Sequence, residues 1–257
     1  MIEQVAATVL PVIGMADVPW VVSPYPAARQ FCELLAGCID HTLLKPEATA
    51  PQIEQLCQEA IEYRFAAVCV NPLYVEQAAR LLEGSSVNVC TVVGFPLGAT
   101  TTATKLYEAQ QAIQQGATEI DMVIQVGRLK VCDYRAIFDD INQVATACCR
   151  DAAMCKVIIE TVLLTDEEKI AASLITSRAQ ATYVKTSTGF AGGGATEHDV
   201  ALLRYVVGPT VGVKASGGIR TRAAALAMVS AGATRIGASA SVAIVKGEKA
   251  NDEHSGE

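Results

Sequence analysis

Histidine, aromatic side chains and net positive charge are scarce in this sequence, and each shortage excludes a class of function. The 257 residues include three histidines, and aromatic residues make up 5% of the chain. A metal site would therefore have to form largely without imidazole ligands. Acidic residues outnumber basic ones by 27 to 20, and the resulting net charge of −7 argues against nucleic acid as a partner. Any bound anion has to be held by local groups.

The nine cysteines lack the spacing of a disulfide framework or a zinc ribbon, because their number is odd and no pair reads C-x-x-C. Most lie in apolar segments, as free thiols do in a reducing cytoplasm, so we expect a cytoplasmic protein. The apolar N-terminal stretch has no Lys or Arg and is interrupted by Pro11 and Gly14, unlike a signal peptide. No run approaches the ~18 apolar residues of a membrane span.

Nucleotide-binding and serine-hydrolase motifs are absent as well, since neither G-x-x-x-x-G-K nor G-x-S-x-G occurs. From about residue 37 the chain instead alternates short apolar runs with longer segments of helical spacing. The apolar runs are GCIDHTLL, AAVCVNP, VNVCTVVGFP, TEIDMVIQVG, CKVIIETVLL, TYVKTST, TVGVKASGG and TRIGASAS.

Eight strands separated by seven helices, with an eighth helix in SVAIVKGEKA, predict an α/β fold, the TIM (β/α)8 barrel with a short N-terminal extension. One helix opens with the capping-box pair Thr165 and Glu168. An open doubly wound sheet competes, but the strands show no linker or topological break. We expect residues 1–36 to pack outside the barrel, residues 37–250 to form it, and residues 251–257 to be a polar tail.

Charged residues interrupt five of the apolar strands. Active residues of such a barrel lie at the C-terminal ends of its strands, so inward-pointing charges would meet at one place. Any one of them could belong to a structural ion pair, but three lysines against two aspartates leave a surplus positive charge. The five residues are Asp40, Asp121, Lys156, Lys185 and Lys214.

The surplus charge favours nucleophilic chemistry at Lys185. An ordinary lysine, with a pKa of about 10.4, is almost fully protonated at pH 7. Desolvation and a second lysine such as Lys214 lower the pKa of an amine, which can then attack a carbonyl and form a Schiff base. Asp121 is the candidate for moving the proton.

Glycine-rich loops supply the second half of the expected site. STGFAGGGATEH follows strand six, SGGIRT follows strand seven and GASAS ends strand eight. Loops after strands seven and eight of a barrel often hold phosphate through backbone N–H groups. Cys69 could face this site, although a small buried hydrophobe is an equal interpretation. His41 is expected to be a core or rim hydrogen bonder, with His198 at a helix start and His254 in the tail.

Seven segments, in order, resemble the deoxyribose-phosphate aldolase family over about residues 37–246. They are CIDHTLLKPEAT, AAVCVNP, VGFPLGATTTATK, EIDMVIQVG, KVIIETVLLTDEE, YVKTSTGF and GVKASGGIRT. The resemblance implies a class I aldolase on a TIM barrel. It implies reversible cleavage of 2-deoxy-D-ribose 5-phosphate to D-glyceraldehyde 3-phosphate and acetaldehyde, without a metal or other cofactor.

The resemblance also implies roles for single residues. Lys185 matches the Schiff-base lysine, Asp121 the proton-relay aspartate and Lys214 the second essential lysine. Asp40 and Lys156 match further polar positions lining the family's site, so we expect them to bind substrate. The positions that match phosphate contacts are Gly189, Gly217, Gly218 and Ser239.

The sequence departs from the family pattern at two positions, and it leaves two other functions open. Gln125 stands where the family usually has Asn, and Ala240 where a second serine is common. A different carbonyl substrate on another phosphate-binding barrel, or a barrel that binds a sugar phosphate as a regulator, are the alternatives. A regulator would not need paired lysines in a dry interior. The expected partner is a phosphorylated sugar. The sequence leaves open whether the chain forms a homodimer.

Overall fold

A computed structural model describes residues 1–15 and 35–247 of the chain. Eight parallel strands close into a barrel in sequence order, β1 to β8, with β8 paired to β1. The strands are β1 Ile39–Leu43, β2 Ala67–Val70, β3 Asn88–Val93, β4 Glu119–Val123, β5 Met154–Ile158, β6 Tyr183–Lys185, β7 Gly212–Ser216 and β8 Arg235–Ala238. The predicted TIM barrel is confirmed.

Helices form the outer layer between the strands. They are α1 Ile2–Val12, α2 Ala50–Tyr63, α3 Val75–Leu81, α4 Thr102–Gln114, α5 Val126–Lys130, α6 Tyr134–Arg150, α7 Asp166–Arg178, α8 Glu197–Val207, α9 Arg222–Ala231 and α10 Ser241–Lys246, with 3-10 turns at Leu35–Cys38, Pro72–Tyr74 and Thr161–Leu163. The eighth helix expected in SVAIVKGEKA is α10. Helices α1 and α5 were not predicted.

Local sequence signals explain where the helices begin. Thr165 caps α7, and its side chain and that of Glu168 bond reciprocally to the backbone, as the capping-box pattern predicts. Thr49 and Gln52 form the same box at the start of α2. These caps satisfy backbone N–H groups that a helix start would otherwise leave without partners.

Strand register determines which side chains share the barrel interior. Asp121 of β4 pairs with Lys156 of β5, and Lys185 of β6 pairs with Lys214 of β7. Successive strand residues face opposite sides of the sheet, so alternate positions point inward and the others pack against the helices. Both faces are therefore buried, which is why the strands read as almost continuous apolar runs.

The N-terminal helix α1 packs against α6 and α7 on the outer side of the barrel. Its apolar residues Ala6, Val9 and Leu10 are buried in the main core. Residues 16–34 and 248–257 lie outside the described residues, so the boundary at residue 36 and the polar tail at 251–257 stay predictions.

The cysteines of the described chain agree with the sequence expectation in all but one case. Seven are free thiols, five of them buried. Cys38 is disulfide-bonded, contrary to the expectation of free thiols. Among residues 1–15 and 35–247, no helix is long and apolar enough to cross a membrane.

Candidate active site

Asp121 lies at the centre of a buried lysine cluster. Its Oδ1 accepts from Lys156 Nζ at 2.6 Å, and its Oδ2 accepts from Lys185 Nζ at 2.6 Å and from Lys214 Nζ at 2.7 Å. Lys185 and Lys214 therefore share one carboxylate oxygen. The structure brings together the three residues expected to be catalytic, because β4, β6 and β7 point these side chains into the same interior.

Asp40 joins the cluster from β1 and brings in an arginine that the sequence analysis did not single out. Its Oδ2 accepts from Lys214 Nζ at 2.5 Å, and its Oδ1 accepts from Arg235 Nη1 at 2.6 Å. Arg235 opens β8, two residues before Gly237, so its inward direction follows from strand alternation.

Glu119 is the second interior charge that was missed. It contacts Lys156 Nζ at 2.7 Å and Arg235 Nη2 at 3.1 Å. Glu119 precedes Asp121 by two positions on β4, and the period-2 rule places both on one face. The alternation was the signal that could have found it.

These contacts add one cation and one carboxylate to the charges expected in the interior, and the net charge of the group stays positive. The interior holds four cations and three carboxylates instead of three lysines and two aspartates, and none of the seven is more than 7% exposed. Lys185 contacts the carboxylate of Asp121 alone, whereas each of the other three cations contacts at least two. The cations are Lys156, Lys185, Lys214 and Arg235, and the carboxylates are Asp40, Glu119 and Asp121.

The ion pairs hold the central groups in their charged forms. Burial by itself would raise the pKa of Asp121, but Lys156, Lys185 and Lys214 outweigh burial and hold it well below its ordinary value. Burial would lower the pKa of Lys214, but Asp121 and Asp40 raise it above its ordinary value. Lys214 is thus a cation beside Lys185 in the protein without substrate.

Two thiols complete the interior on the side of β2 and β3. Cys90 donates to Asp121 Oδ1 at 3.3 Å and accepts from Lys156 Nζ at 3.2 Å. Cys69 is 1% exposed and packs in a small apolar cluster with Cys90, Leu44 and Val92, which agrees with both interpretations of this residue. A hydrogen bond with Cys90 lowers the pKa of Cys69, and burial raises that of Cys90.

A cavity of about 280 Å³ opens above Lys185 at the C-terminal ends of the strands. Its lining includes Lys185 and all four positions expected to contact phosphate, namely Gly189, Gly217, Gly218 and Ser239. A larger cavity of about 970 Å³ lies between α4 and α5, but no residue of the lysine cluster lines it. The smaller cavity is therefore the one that joins an amine to a glycine-rich surface.

Hydroxyl groups after Lys185 fix the loops of this cavity. Ser216 donates to Ser187 O at 2.6 Å, and Thr186 Oγ1 accepts from Ser216 N at 3.1 Å. Gly217 has φ +87°, and an added Cβ would lie 2.8 Å from Gly194 Cα. Only glycine fits there without displacing the neighbouring loop.

The remaining candidates lie away from the lysine cluster. His41 is buried with its ring against Phe65 and its Nε2 at 2.7 Å from Glu59 Oε2, as a core hydrogen bonder should be. His198 is exposed and bonds to Asp166, and His254 lies outside the described residues.

Of the two departures from the family pattern, one lies away from the lysine cluster and the other lies beside the phosphate-loop candidates. Gln125 donates to Thr100 O at 3.0 Å and lines the larger cavity. Ala240 is the residue before α10 and adjoins Ser239. Gln125 thus bonds away from Asp121, while Ala240 stands next to the phosphate-loop candidates.

Buried groups in the described chain that could hold a metal share their atoms with the ion pairs. Cys69, Cys90 and Asp121 form one such group, and Asp40, Cys90 and Glu119 form another. Each of these carboxylates already contacts at least two cations. The arrangement suits charge stabilisation and amine chemistry better than metal ligation.

Comparison with known proteins identifies the family. The profile of the DeoC/LacD family aldolases matches residues 34–247. The chain belongs to this family. A deoxyribose-phosphate aldolase of Halalkalibacterium halodurans is 59% identical over 216 residues, which are 84% of this chain and 96% of the relative. One of Clostridium perfringens is 57% identical over 83% of this chain and 95% of the relative.

A solved structure shows the same relationship in three dimensions. The deoxyribose phosphate aldolase of Aeropyrum pernix, described as a tetramer, matches with a TM-score of 0.77 at 36% identity. The match covers 82% of this chain and 89% of that one. The barrel of the present chain is therefore the barrel of a solved relative as well.

Proposed function

We propose that this aldolase cleaves 2-deoxy-D-ribose 5-phosphate reversibly to D-glyceraldehyde 3-phosphate and acetaldehyde through a Schiff base on Lys185. The observation that carries the proposal is the pairing of Lys185 and Lys214 on one oxygen of Asp121, below a cavity lined by glycines. The identity of the bacterial relatives over most of the chain supports the choice of substrate.

Lys185 is the nucleophile in this proposal. Releasing its proton breaks contact with a single carboxylate, fewer than for any other cation of the interior. The free amine attacks C1 of the open-chain sugar, and loss of water leaves a protonated imine. The fixed charge of Lys214 disfavours a second ammonium beside it and so favours the free amine.

Carbon–carbon cleavage follows from the imine. Removal of the C3 hydroxyl proton lets the C2–C3 bond break, and its electron pair moves into the imine to form an enamine. D-Glyceraldehyde 3-phosphate leaves, C2 then takes a proton, and hydrolysis returns acetaldehyde and the amine. Asp121, which contacts both lysines, is proposed to move these protons together with Lys214.

Asp40 and Lys156, expected to bind substrate, are fully buried and do not line the cavity, so we propose instead that they hold the cluster in place. The glycine loops are proposed to hold the phosphate. Gly189, Gly217, Gly218 and Ser239 line the cavity from three neighbouring strands. Backbone N–H groups in such loops bind phosphate by dipoles, which suits a chain with a net charge of −7.

The decisive experiment combines turnover with trapping. The protein should release acetaldehyde from deoxyribose 5-phosphate, and acetaldehyde with borohydride should leave a two-carbon adduct on Lys185. Activity should also survive chelation by EDTA. An adduct mapped to Lys214 or Lys156, or activity lost with EDTA and restored by zinc, would overturn this mechanism.

The assembly and the cellular location of the protein are also proposed. A homodimer is the proposed assembly, and one relative is described as a tetramer. Sedimentation at several protein concentrations distinguishes the two. A cytoplasmic location is supported by the seven free thiols of the described chain.

A further inference from the structure

Glu119 and Arg235 form a salt bridge beneath the lysines, and neither lines the cavity that holds Lys185. Arg235 Nη2 and Nη1 lie 3.1 and 3.3 Å from the two oxygens of Glu119. Both residues are the first of their strands, so they occupy the end of the barrel opposite the cavity. Substrate in that cavity does not reach them.

The pair is tied through Asp40 and Lys156 to the groups around Lys185 and Lys214. Arg235 holds Asp40 Oδ1 at 2.6 Å, which leaves Asp40 Oδ2 for Lys214. Glu119 holds Lys156 at 2.7 Å, and Lys156 holds Asp121 Oδ1. Asn88 Nδ2 donates to Glu119 at 3.0 Å and fixes it from β3. Arg235 therefore acts on Lys214 through Asp40, and Glu119 acts through Lys156 on Asp121, the carboxylate that Lys185 contacts.

The charges of the pair also set the net charge of the dry interior. With four cations and three carboxylates among the described residues, the ion-pair network carries one excess positive charge, and the loss of one proton makes it neutral. The buried carboxylate of Glu160, after β5, bonds to Thr188 and stands outside this network. Because burying net charge is costly, the excess favours one free amine. Lys185, with one carboxylate contact, is the amine whose release breaks the fewest ion pairs.

We propose that Glu119 and Arg235 are positioning residues whose opposite charges set the pH at which Lys185 holds a free amine. This inference rests on the proposed Schiff-base function. Arg235 maintains the positive excess that favours the free amine, and Glu119 limits that excess so that Lys156 and Lys214 stay protonated.

Every strand contributes a titratable group to this interior. Lys185 shares its strand with Tyr183, whose ring lies 5.7 Å below the Arg235 guanidinium. The two thiols face the cluster from β2 and β3 and remain in every variant described below, so they do not affect the comparison. The groups are Asp40, Cys69, Cys90, Glu119, Asp121, Lys156, Tyr183, Lys214 and Arg235.

The test measures the rate at which acetaldehyde and cyanoborohydride modify Lys185 as a function of pH. Arg235→Gln removes the excess charge and should move the acid limb of this profile upward by about 1 pH unit. Arg235→Lys keeps the charge and should leave the limb at its wild-type position. Glu119→Gln adds to the excess and should move the limb downward by about 1 pH unit.

The double variant Glu119→Gln/Arg235→Gln decides the matter if Arg235→Gln does not fold. It removes a neutral pair, so its limb should return to the wild-type position. As a control, Lys105→Met/Asp140→Asn removes a buried ion pair between α4 and α6, outside the barrel, and should leave the limb unchanged.

The KM for deoxyribose 5-phosphate should stay within about 2-fold of wild type in Arg235→Lys, because the pair does not touch the cavity. Limbs that move the same way in Glu119→Gln and Arg235→Gln, or do not move, would overturn the inference. A wild-type protein that is trapped at Lys185 but does not cleave the sugar would overturn the proposed function alone. A wild-type protein that is not trapped at Lys185 would overturn both.

Discussion

The α4–α6 contact and the barrel interior each bury a lysine against a carboxylate, and they differ in what surrounds the pair. Between α4 and α6, Lys105 Nζ lies 2.6 Å from Asp140 Oδ2, and both side chains are fully buried. The only other group on this carboxylate, among the described residues, is the Thr102 hydroxyl. In the barrel interior, by contrast, Asp121 is shared by three lysines.

The difference teaches that buried charge marks a chemical site only when it is unbalanced and accessible. The Lys105 pair is neutral and lines neither of the two cavities described above, so its role is to join two helices. The barrel interior has one cation more than its carboxylates, and Lys185 reaches a cavity of about 280 Å³. An excess charge that a substrate can reach is the condition under which a lysine becomes a nucleophile.

The largest effect is expected when the lysine of each region, Lys185 or Lys105, is replaced by Met. Lys185→Met should lower turnover by at least about 10³-fold, as removal of a covalent nucleophile does. Stability should hold or rise, because the interior becomes neutral. Lys105→Met should instead keep its turnover and lose about 3–5 kcal/mol of unfolding free energy, because Asp140 is left buried without a counter-charge.

Sugar cleavage and urea unfolding of both variants measure this contrast. The comparison between the two regions would break if Lys185→Met were the less stable protein, or if Lys105→Met lost its turnover while remaining folded.

The next largest effect is expected from replacing Lys214, the cation beside the nucleophile. Lys214→Leu should lower kcat by about 10²–10⁴-fold, the range for general acid–base groups. The acid limb of the pH profile should move upward, because without the neighbouring cation the Lys185 ammonium is disfavoured less. Trapping should still map to Lys185. A raised KM with an unmoved limb would instead make Lys214 a phosphate ligand.

A smaller effect tests the mouth of the barrel, where backbone dipoles take the place of charge. Gly218 has φ +76° and Gly84, in a distant turn, has φ +78°, and an added Cβ meets nothing within 4 Å at either. Gly218→Ala should raise the KM for deoxyribose 5-phosphate by about 10-fold and that for unphosphorylated deoxyribose much less. Gly84→Ala carries the same backbone strain and should change neither.

Gly217 is less suitable for this test, because its Cβ would meet the backbone of Gly194. Equal changes in KM for both sugars in Gly218→Ala would mean that the phosphate lies elsewhere.

The smallest effect concerns Ala240 at the start of α10. Ala240→Ser adds one hydroxyl, worth about 0.5–1.5 kcal/mol as a hydrogen-bond donor. The KM for the phosphorylated sugar should fall by a few-fold at most, and that for deoxyribose should stay constant. Steady-state kinetics with both sugars check this, and a rise in KM for the phosphorylated sugar would mean that the hydroxyl obstructs the phosphate.

The barrel was predictable because its causes are local. Each strand reads as an apolar run, and capping residues such as Thr165 with Glu168 indicate where the following helix begins. The short helix α5 escaped prediction because Ile124 and Val126 extend the apolar run of β4 into the first residue of the helix. Its start depends on packing against α6 and α7, which a local pattern does not contain.

The candidate site was predictable in part, for the same reason. The embedded charges of Lys185, Asp121 and Lys214 stand out in their strands, and strand order brings them together. Glu119 and Arg235 lie at strand starts, where a charge also suits an exposed loop end, so their burial was not apparent from composition. Their place in the interior depends on the stagger of the closed barrel.

The sequence by itself determined the strand and helix order, the barrel and the presence of lysines among apolar residues, because periodicity and local propensity are written along the chain. Only the tertiary structure decided that Lys185 has one carboxylate contact while Lys156, Lys214 and Arg235 each have two or more. These contacts join strands far apart in sequence, and their geometry exists only once β8 has closed against β1.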